Sequence, residues 1–147
     1  MSGLAGLLAG HTTPGIYQWH SGLHVPDVEH AVEHAGWQFA HLDGWAVEDK
    51  ATFLKSIAGA FGFADEFDEN FDALSDSLAD VTAGDSNGTV FLWDGWGPLA
   101  RADERAFSVA LSVLGGRVHA DRGGAFVVLL RGEGPPLDVP DLNPHAG

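Results

Sequence analysis

The sequence predicts an α/β domain in which a small three-stranded parallel sheet is covered by helices. Three apolar segments of strand length alternate with segments of helical periodicity, and this alternation is typical of strand–helix–strand units. The segment 125–130 (AFVVLL) is continuously apolar, as expected for a strand covered on both faces. With 147 residues, of which 45% are hydrophobic, the chain has the size and the apolar content of one domain.

The predicted strands lie between turn residues. Asp43-Gly44 follows the first strand, and the run DGWGP at 94–98 breaks the second. A shorter segment, 16–19, is compatible with an extended piece that is not counted in the sheet. The three predicted strands are residues 37–42, 89–93 and 125–130.

Helices are predicted where apolar residues recur three and four positions apart. Pro26 suits the start of the first helix, Glu48 or Asp49 can cap the second, and Gly62 can end it. The last helix is expected to stop at Gly115-Gly116. The four predicted helices are residues 26–35, 49–61, 70–81 and 101–114.

The predicted domain covers residues 16–131. Residues 1–15 are small and Gly-rich and are expected to form a flexible lead, and the Gly/Pro-rich residues 132–147 are expected to form a flexible tail. No stretch approaches the roughly 20 apolar residues of a membrane span, and no Lys or Arg precedes the apolar first ten residues. Cysteine is absent. We therefore expect a soluble cytoplasmic protein that does not bind membranes.

The charge is strongly negative and unevenly distributed. The formal net charge of −14 should repel nucleic-acid phosphates and attract basic proteins, so an RNA-binding or DNA-binding function is disfavoured. No Lys or Arg lies between Lys55 and Arg101, whereas nine acids do, seven of them within the sixteen residues 65–80. The nine are Asp65, Glu66, Asp68, Glu69, Asp72, Asp76, Asp80, Asp85 and Asp94.

Four of these acids recur every fourth residue in and just before the third predicted helix, which places Asp68, Asp72, Asp76 and Asp80 along one face. Like charges at this spacing destabilise a helix by roughly 0.2–0.5 kcal/mol per pair. The face could be kept for a cationic partner, or it could be a solvated face whose bases come from elsewhere in the fold. The charge pattern leaves both interpretations open. The apolar stripe of the same helix is Phe71, Leu74, Leu78 and Val81.

The segment 69–74 (ENFDAL), followed by Asp76 and Leu78, resembles the barstar family of intracellular ribonuclease inhibitors. The aromatic Phe67 and the order of strand, helix, acidic loop and helix, strand, helix and strand add to the resemblance. It covers about residues 37–130. The implied fold is barstar-like, with an extra N-terminal helix outside the minimal core of the family.

The resemblance also implies a mechanism. Barstar-like inhibitors insert an acidic loop and the following helix into the active-site cleft of a basic microbial ribonuclease, where carboxylates occupy the site of an RNA phosphate. Asp76 would then be the leading contact, Asp72 the second, and Phe67 would pack against a catalytic side chain. The partner would be a secreted-type, barnase-like or related guanyl-preferring ribonuclease, and no cofactor is implied. The remaining candidate contacts are Asp68, Glu69, Ser75 and Asp80.

Two positions and one segment depart from the family pattern. Asp68 stands where glycine is common, Ser75 stands where an aromatic is common, and residues 107–114 lack the acid that the prototype carries on its later helix. The alternative is therefore a barstar-like acidic module that binds another basic protein without inhibiting a ribonuclease. Asn70 is expected to be structural, because its side chain can bond to the backbone at the start of the helix.

Enzyme and metal-site interpretations have little support. A hydrolytic acid–base pair needs carboxylates across a cleft rather than along one face, and the spacing of an EF-hand is absent. His30 and His34 have the spacing of transition-metal ligands but not the H-E-x-x-H motif, so a solvated pair is the simpler interpretation. No phosphate-binding glycine motif occurs. We expect neither an enzyme nor a metal site.

Overall fold

A computed structural model describes residues 3–63, 70–120 and 122–142. In these ranges all strands run parallel in one sheet. They are Ile16–Gln18 (β1), Gln38–Asp43 (β2), Gly88–Asp94 (β3) and Ala125–Arg131 (β4), and the sheet order is β1-β4-β3-β2.

The α/β class and the three predicted strands are confirmed, but the predicted number of strands is wrong. The described part of the sheet has four strands, because Ile16–Gln18 pairs with β4 from Val128 to Leu130. None of the three residues of β1 is fully buried. A segment of three half-buried residues has no apolar run that would predict a strand, so its pairing depends on β4 rather than on its own sequence pattern.

The described ranges contain six helices where the sequence predicts four, because a helix forms near the N-terminus and the last predicted helix is divided. The helix expected over 101–114 is two helices, because the side chain of Asp103 accepts a hydrogen bond from the backbone nitrogen of Ala106 and starts a new one. The second of these continues past Gly115-Gly116. The described helices are Gly3–Leu8 (α1), Val25–His34 (α2), Lys50–Phe61 (α3), Phe71–Ala79 (α4), Gly97–Ala102 (α5) and Glu104–Val118 (α6). In the described ranges, none of the helices has both the length and the apolar character that crossing a membrane requires.

The sheet separates two apolar cores because successive side chains of its strands point to opposite faces. Phe91 and Trp93 of β3 belong to the core that α3, α4, α5 and α6 cover. Val90 and Leu92 belong to the core that α1 and α2 cover. The acidic helix α4 therefore lies on the face opposite to the N-terminal helices.

The described residues near both ends of the chain pack on the domain, whereas the sequence predicts flexible segments there. Within residues 1–15, α1 buries Leu7 in the second core. Within residues 132–142, the backbone nitrogen of Leu142 donates to the carbonyl oxygen of Gln18 at 2.8 Å, and the side chain of Leu142 is buried. These contacts are made with residues far away in the sequence, so local composition does not reveal them.

Candidate protein-binding site

The acidic helix α4 is held by its apolar side and by a cap. Leu74 and Leu78 are fully buried in the core, where α4 packs against α6 and α3. At its first turn, Asn70 Oδ1 accepts a hydrogen bond from the backbone nitrogen of Ala73 at 2.7 Å. Asn70 is therefore the N-cap residue, which satisfies one of the otherwise unpaired amides of a helix start.

The opposite side of α4 faces solvent. The side chains of Asp72, Ser75 and Asp76 are exposed, as is that of Asp80 at the C-terminal end of the helix. Within the described ranges, none of these three carboxylates lies within 4.0 Å of a cationic group, since the ion pairs found there involve Asp94 and Asp141. In the described part of the chain, bases from elsewhere in the fold therefore do not neutralise this face.

Two cations lie near the ends of α4 without forming an ion pair with its acids within the described residues. Lys50 Nζ lies 5.4 Å from the centre of the Phe71 ring, at the start of the helix. Arg122 lines a depression of about 550 Å³ together with Asp80 at the other end, and within the described residues no ion pair joins the two side chains. The negative charges of the middle of α4 are thus directed to solvent.

The C-terminal end of α4 is held by Arg117 of α6, which the sequence analysis missed. Its side chain donates from Nε to the carbonyl oxygen of Leu78 at 3.1 Å and from Nη2 to that of Val81 at 2.7 Å. Arg117 is 4% exposed, and burial lowers its pKa. One feature of the sequence could have indicated its burial. Arg117 follows Leu114 by three residues, so the two lie on the same buried face of α6. A cation here also suits the negative end of the helix dipole.

A match to a family model shows which family the chain belongs to. The model of the Barstar (barnase inhibitor) family matches residues 37–131, nearly two-thirds of the chain. The chain belongs to the barstar family. The resemblance found in the sequence is therefore confirmed, and the predicted span of about 37–130 agrees with it. A comparison with curated proteins gave no match.

The barstar-family span runs from just before β2 to the end of β4, so it includes α4 and the Arg117 contact. The elements α1, β1 and α2 precede it. Asp72, Ser75, Asp76 and Asp80 lie on the exposed side of α4. The predicted contacts Phe67, Asp68 and Glu69 fall outside the described residues and stay predictions.

Asp94, another of the nine acids between Lys55 and Arg101, has a different environment. Asp94 is 6% exposed and lies at the carboxyl end of β3. Its Oδ1 accepts from Nε of Arg131 at 2.5 Å, and its Oδ2 lies 2.9 Å from Nε2 of His41. These three residues belong to the neighbouring strands β2, β3 and β4, and their contacts link the three strands near their carboxyl ends. Asp94 is thus a paired, structural acid, in contrast to the exposed acids of α4.

The metal-site alternatives find no geometric support in the described part of the chain, where no three His, Asp or Glu side chains cluster in a way that could hold an ion. The rings of His30 and His34 stack on the surface of α2 with their centres 5.8 Å apart. A divalent-cation site built from Asp68, Asp72 and neighbouring acids, which the acidic sequence would allow, would lie partly outside the described residues. The exposed acids of α4 follow one helix surface rather than facing each other across a cleft.

Proposed function

We propose that this protein inhibits a basic microbial ribonuclease by placing the exposed side of α4, with the acidic segment before it, in the active-site cleft of the enzyme. Membership in a family described as barnase inhibitors supports the inhibitory function. The observation that carries the proposed site is that Asp72 and Asp76 are exposed and, within the described residues, unpaired. Their carboxylates would take the positions of RNA phosphates.

The contacts that hold α4 in place support this proposal, because they lower the entropic cost of binding. The helix is held by buried Leu74 and Leu78, by the Asn70 cap and by Arg117. Because the acids lie on a helix that is already formed, binding would require little further ordering of the backbone. Their desolvation would be offset by the cations of the partner, since no cation of the described chain competes for them. The net charge of −14 would accelerate the encounter with a basic enzyme.

Each residue has a role in this proposal. Asp76 would be the leading contact and Asp72 the second, while Phe67 would pack against a catalytic side chain of the enzyme. Asn70 would maintain the start of the helix rather than touch the partner. The partner would be a secreted-type, barnase-like or related guanyl-preferring ribonuclease, from which the protein would protect the cytoplasm of its producer as an immunity protein. The proposed contacts that complete the surface are Asp68, Glu69, Ser75 and Asp80.

The test is RNA cleavage by a panel of small basic microbial ribonucleases, with and without a stoichiometric amount of the protein. We expect inhibition of at least one enzyme, loss of inhibition in Asp76→Ala, and retention in Asp85→Ala. Asp85 is a matched control because it is an exposed acid outside α4. If no enzyme of the panel is inhibited, the proposal is wrong for that class of enzyme, and the alternative of a module for another basic protein takes its place.

A further inference from the structure

The two edges of the described sheet differ in how they are covered. At the edge formed by β1, the backbone nitrogen of Gln18 donates to the carbonyl oxygen of Pro140 at 2.8 Å, and that of Leu142 donates to the carbonyl oxygen of Gln18 at 2.8 Å. The C-terminal segment therefore shields β1. The opposite edge is β2, which in the described part of the sheet has a neighbouring strand, β3, on one side only.

The backbone groups of β2 that face away from β3 belong to its odd-numbered residues. The backbone nitrogen of Gly44, directly after β2, donates to the carbonyl oxygen of Asp94 at 2.8 Å, so Gly44 faces β3. Backbone groups of successive residues in a strand point to opposite sides within the sheet. Phe39, His41 and Asp43 therefore direct their N–H and C=O groups outward, and no hydrogen bond to these groups is found among the described residues.

The strand β2 also lacks the features that usually prevent an edge strand from pairing. It is six residues long, and its sequence QFAHLD contains neither Lys nor Pro. Its register with β3 is continuous from Gln38 to Asp43, so no bulge twists the edge away. An edge of this kind is a template for an additional strand, whose backbone would supply the hydrogen bonds that the edge leaves open.

The side chains around this edge indicate which strand fits. Asp43 is exposed at the carboxyl end of β2. At the other end, a groove of about 540 Å³ adjoins Ala40, and the exposed Asp80 lines it. Between the two acids, the rings of Phe39 and His41 stack with their centres 6.5 Å apart. Acids at both ends and rings in the middle favour a strand that carries basic and β-branched apolar side chains.

We propose that β2 pairs with an extended basic segment of a protein partner, which adds a strand to the sheet. Backbone hydrogen bonds to Phe39 and His41 would hold the segment, and its basic side chains would lie near Asp43 and Asp80. The net charge of −14 favours a basic segment. It disfavours a second copy of this chain, because its β2 would bring the same acids to the contact. The site lies outside α4, and it does not require the partner to be a ribonuclease.

The open edge is tested first, by hydrogen exchange of the full chain labelled with ¹⁵N. The amides of Phe39, His41 and Asp43 should exchange faster than those of Ala40 and Leu42, which face β3. Equal rates in the two sets would show that the edge is closed and would overturn the inference. Protection of the odd-numbered amides that grows with protein concentration would show that a second copy occupies the edge, and would overturn it too.

The probe is an acetylated heptapeptide amide in which Lys and Val alternate. At a concentration of about ten times its dissociation constant it should slow exchange of the odd-numbered amides of β2 about tenfold, because only the free protein exchanges. Two controls keep the side chains and are N-methylated on every Lys or on every Val. One of them should lose binding, since only one set of N–H groups faces β2. The inference is wrong if both controls, or a peptide with Glu in place of Lys, bind as tightly as the probe.

His41→Pro and His41→Val form a matched pair of variants. Both lose the contact between the imidazole and Asp94, but only proline also lacks the outward N–H, and an edge strand tolerates proline at such a position. We expect His41→Pro to weaken peptide binding about tenfold and His41→Val to retain it. Equal affinities would contradict the inference, and if the amide spectrum shows that His41→Pro misfolds, the N-methylated peptides decide. Asp76→Ala should bind the peptide as the parent does, so this site and ribonuclease inhibition can fail independently.

Discussion

Arg117 of α6 and Leu78 of α4 are joined by a buried hydrogen bond in which Arg117 Nε donates to the carbonyl oxygen of Leu78 at 3.1 Å. The same guanidinium lies 4.9 Å from the ring centre of Phe126 on β4. Because α4 has only nine residues, it would be marginal on its own and depends on such tertiary contacts. The direction in which Asp72 and Asp76 project is therefore set partly by a residue about forty positions away.

Replacing Arg117 should destabilise the fold. Arg117→Ala would leave the carbonyl oxygens of Leu78 and Val81 without their buried donor, and we expect the free energy of unfolding to fall on the order of 3 kcal/mol. Urea denaturation measures this. Arg122→Ala is the matched control, because Arg122 is exposed and makes no ion pair within the described residues. Equal losses in both variants would contradict the structural role of Arg117.

Replacing Asn70 should show whether this residue stabilises the start of α4 or contacts the partner. Asn70→Ala removes the acceptor for the Ala73 amide, so we expect a loss of about 1 kcal/mol in the free energy of unfolding. Asn70→Asp should retain stability, because its carboxylate can accept the same bond. If partner binding falls far more than stability in Asn70→Ala, and Asn70→Asp does not restore it, then Asn70 touches the partner. Urea denaturation and partner affinity are measured on the same samples.

The elements that sequence predicted well depend on local signals. The caps of α3 are one example, since Asp49 accepts from the backbone nitrogen of Thr52 and Gly62 has φ 69°. The apolar runs of β3 and β4 are another, because strands covered on both faces need little context. The spacing of the acids predicted that they share one face of α4, and Asp72 and Asp76 do lie together on its exposed side. In each of these cases the residues that determine the element lie close together in sequence, within one or two helical turns or within a single strand.

The features that sequence missed depend on distant partners. β1 forms because Ile16–Gln18 pairs with the edge of β4 that lies opposite to β3. The break between α5 and α6 is an exception, because its cause is local: Asp103 caps α6 by accepting a hydrogen bond from the backbone nitrogen of Ala106. Arg117 lies beyond the predicted end of the last helix at residue 114, and only the fold brings four carbonyl oxygens around it.

The stability of the protein should fall in acid partly through Asp49. Its pKa is lowered, first by the hydrogen bond from the backbone nitrogen of Thr52. A lowered pKa in the folded state means that the stabilisation is present above the ordinary value of 3.8 and is lost as the pH falls through the folded-state value. We expect Asp49→Asn, which keeps an acceptor but does not titrate, to show a shallower loss of stability below pH 3.8. Urea denaturation on both sides of that pH measures it, and parallel curves would contradict it.

Neutralising Asp76 should raise stability while it weakens partner binding. Asp76 has like-charged neighbours four residues away on both sides, Asp72 and Asp80, and Asp76→Asn should relieve roughly 0.2–0.5 kcal/mol for each pair. The same change removes the proposed leading contact, so we expect a loss of affinity on the order of 2 kcal/mol or more. Asp85→Asn makes the same charge change away from α4.

The two effects of Asp76→Asn are measured by urea denaturation and by association and dissociation rates with an inhibited ribonuclease at low and moderate salt. Association of the parent should slow as salt rises, because steering by exposed charges is screened. Loss of the close contact should appear mainly as faster dissociation. If Asp76→Asn is more stable and binds as the parent does, its charge is a solubility feature and the binding site lies elsewhere. A variant that loses both stability and binding would show instead that Asp76 supports the helix through a contact within the protein.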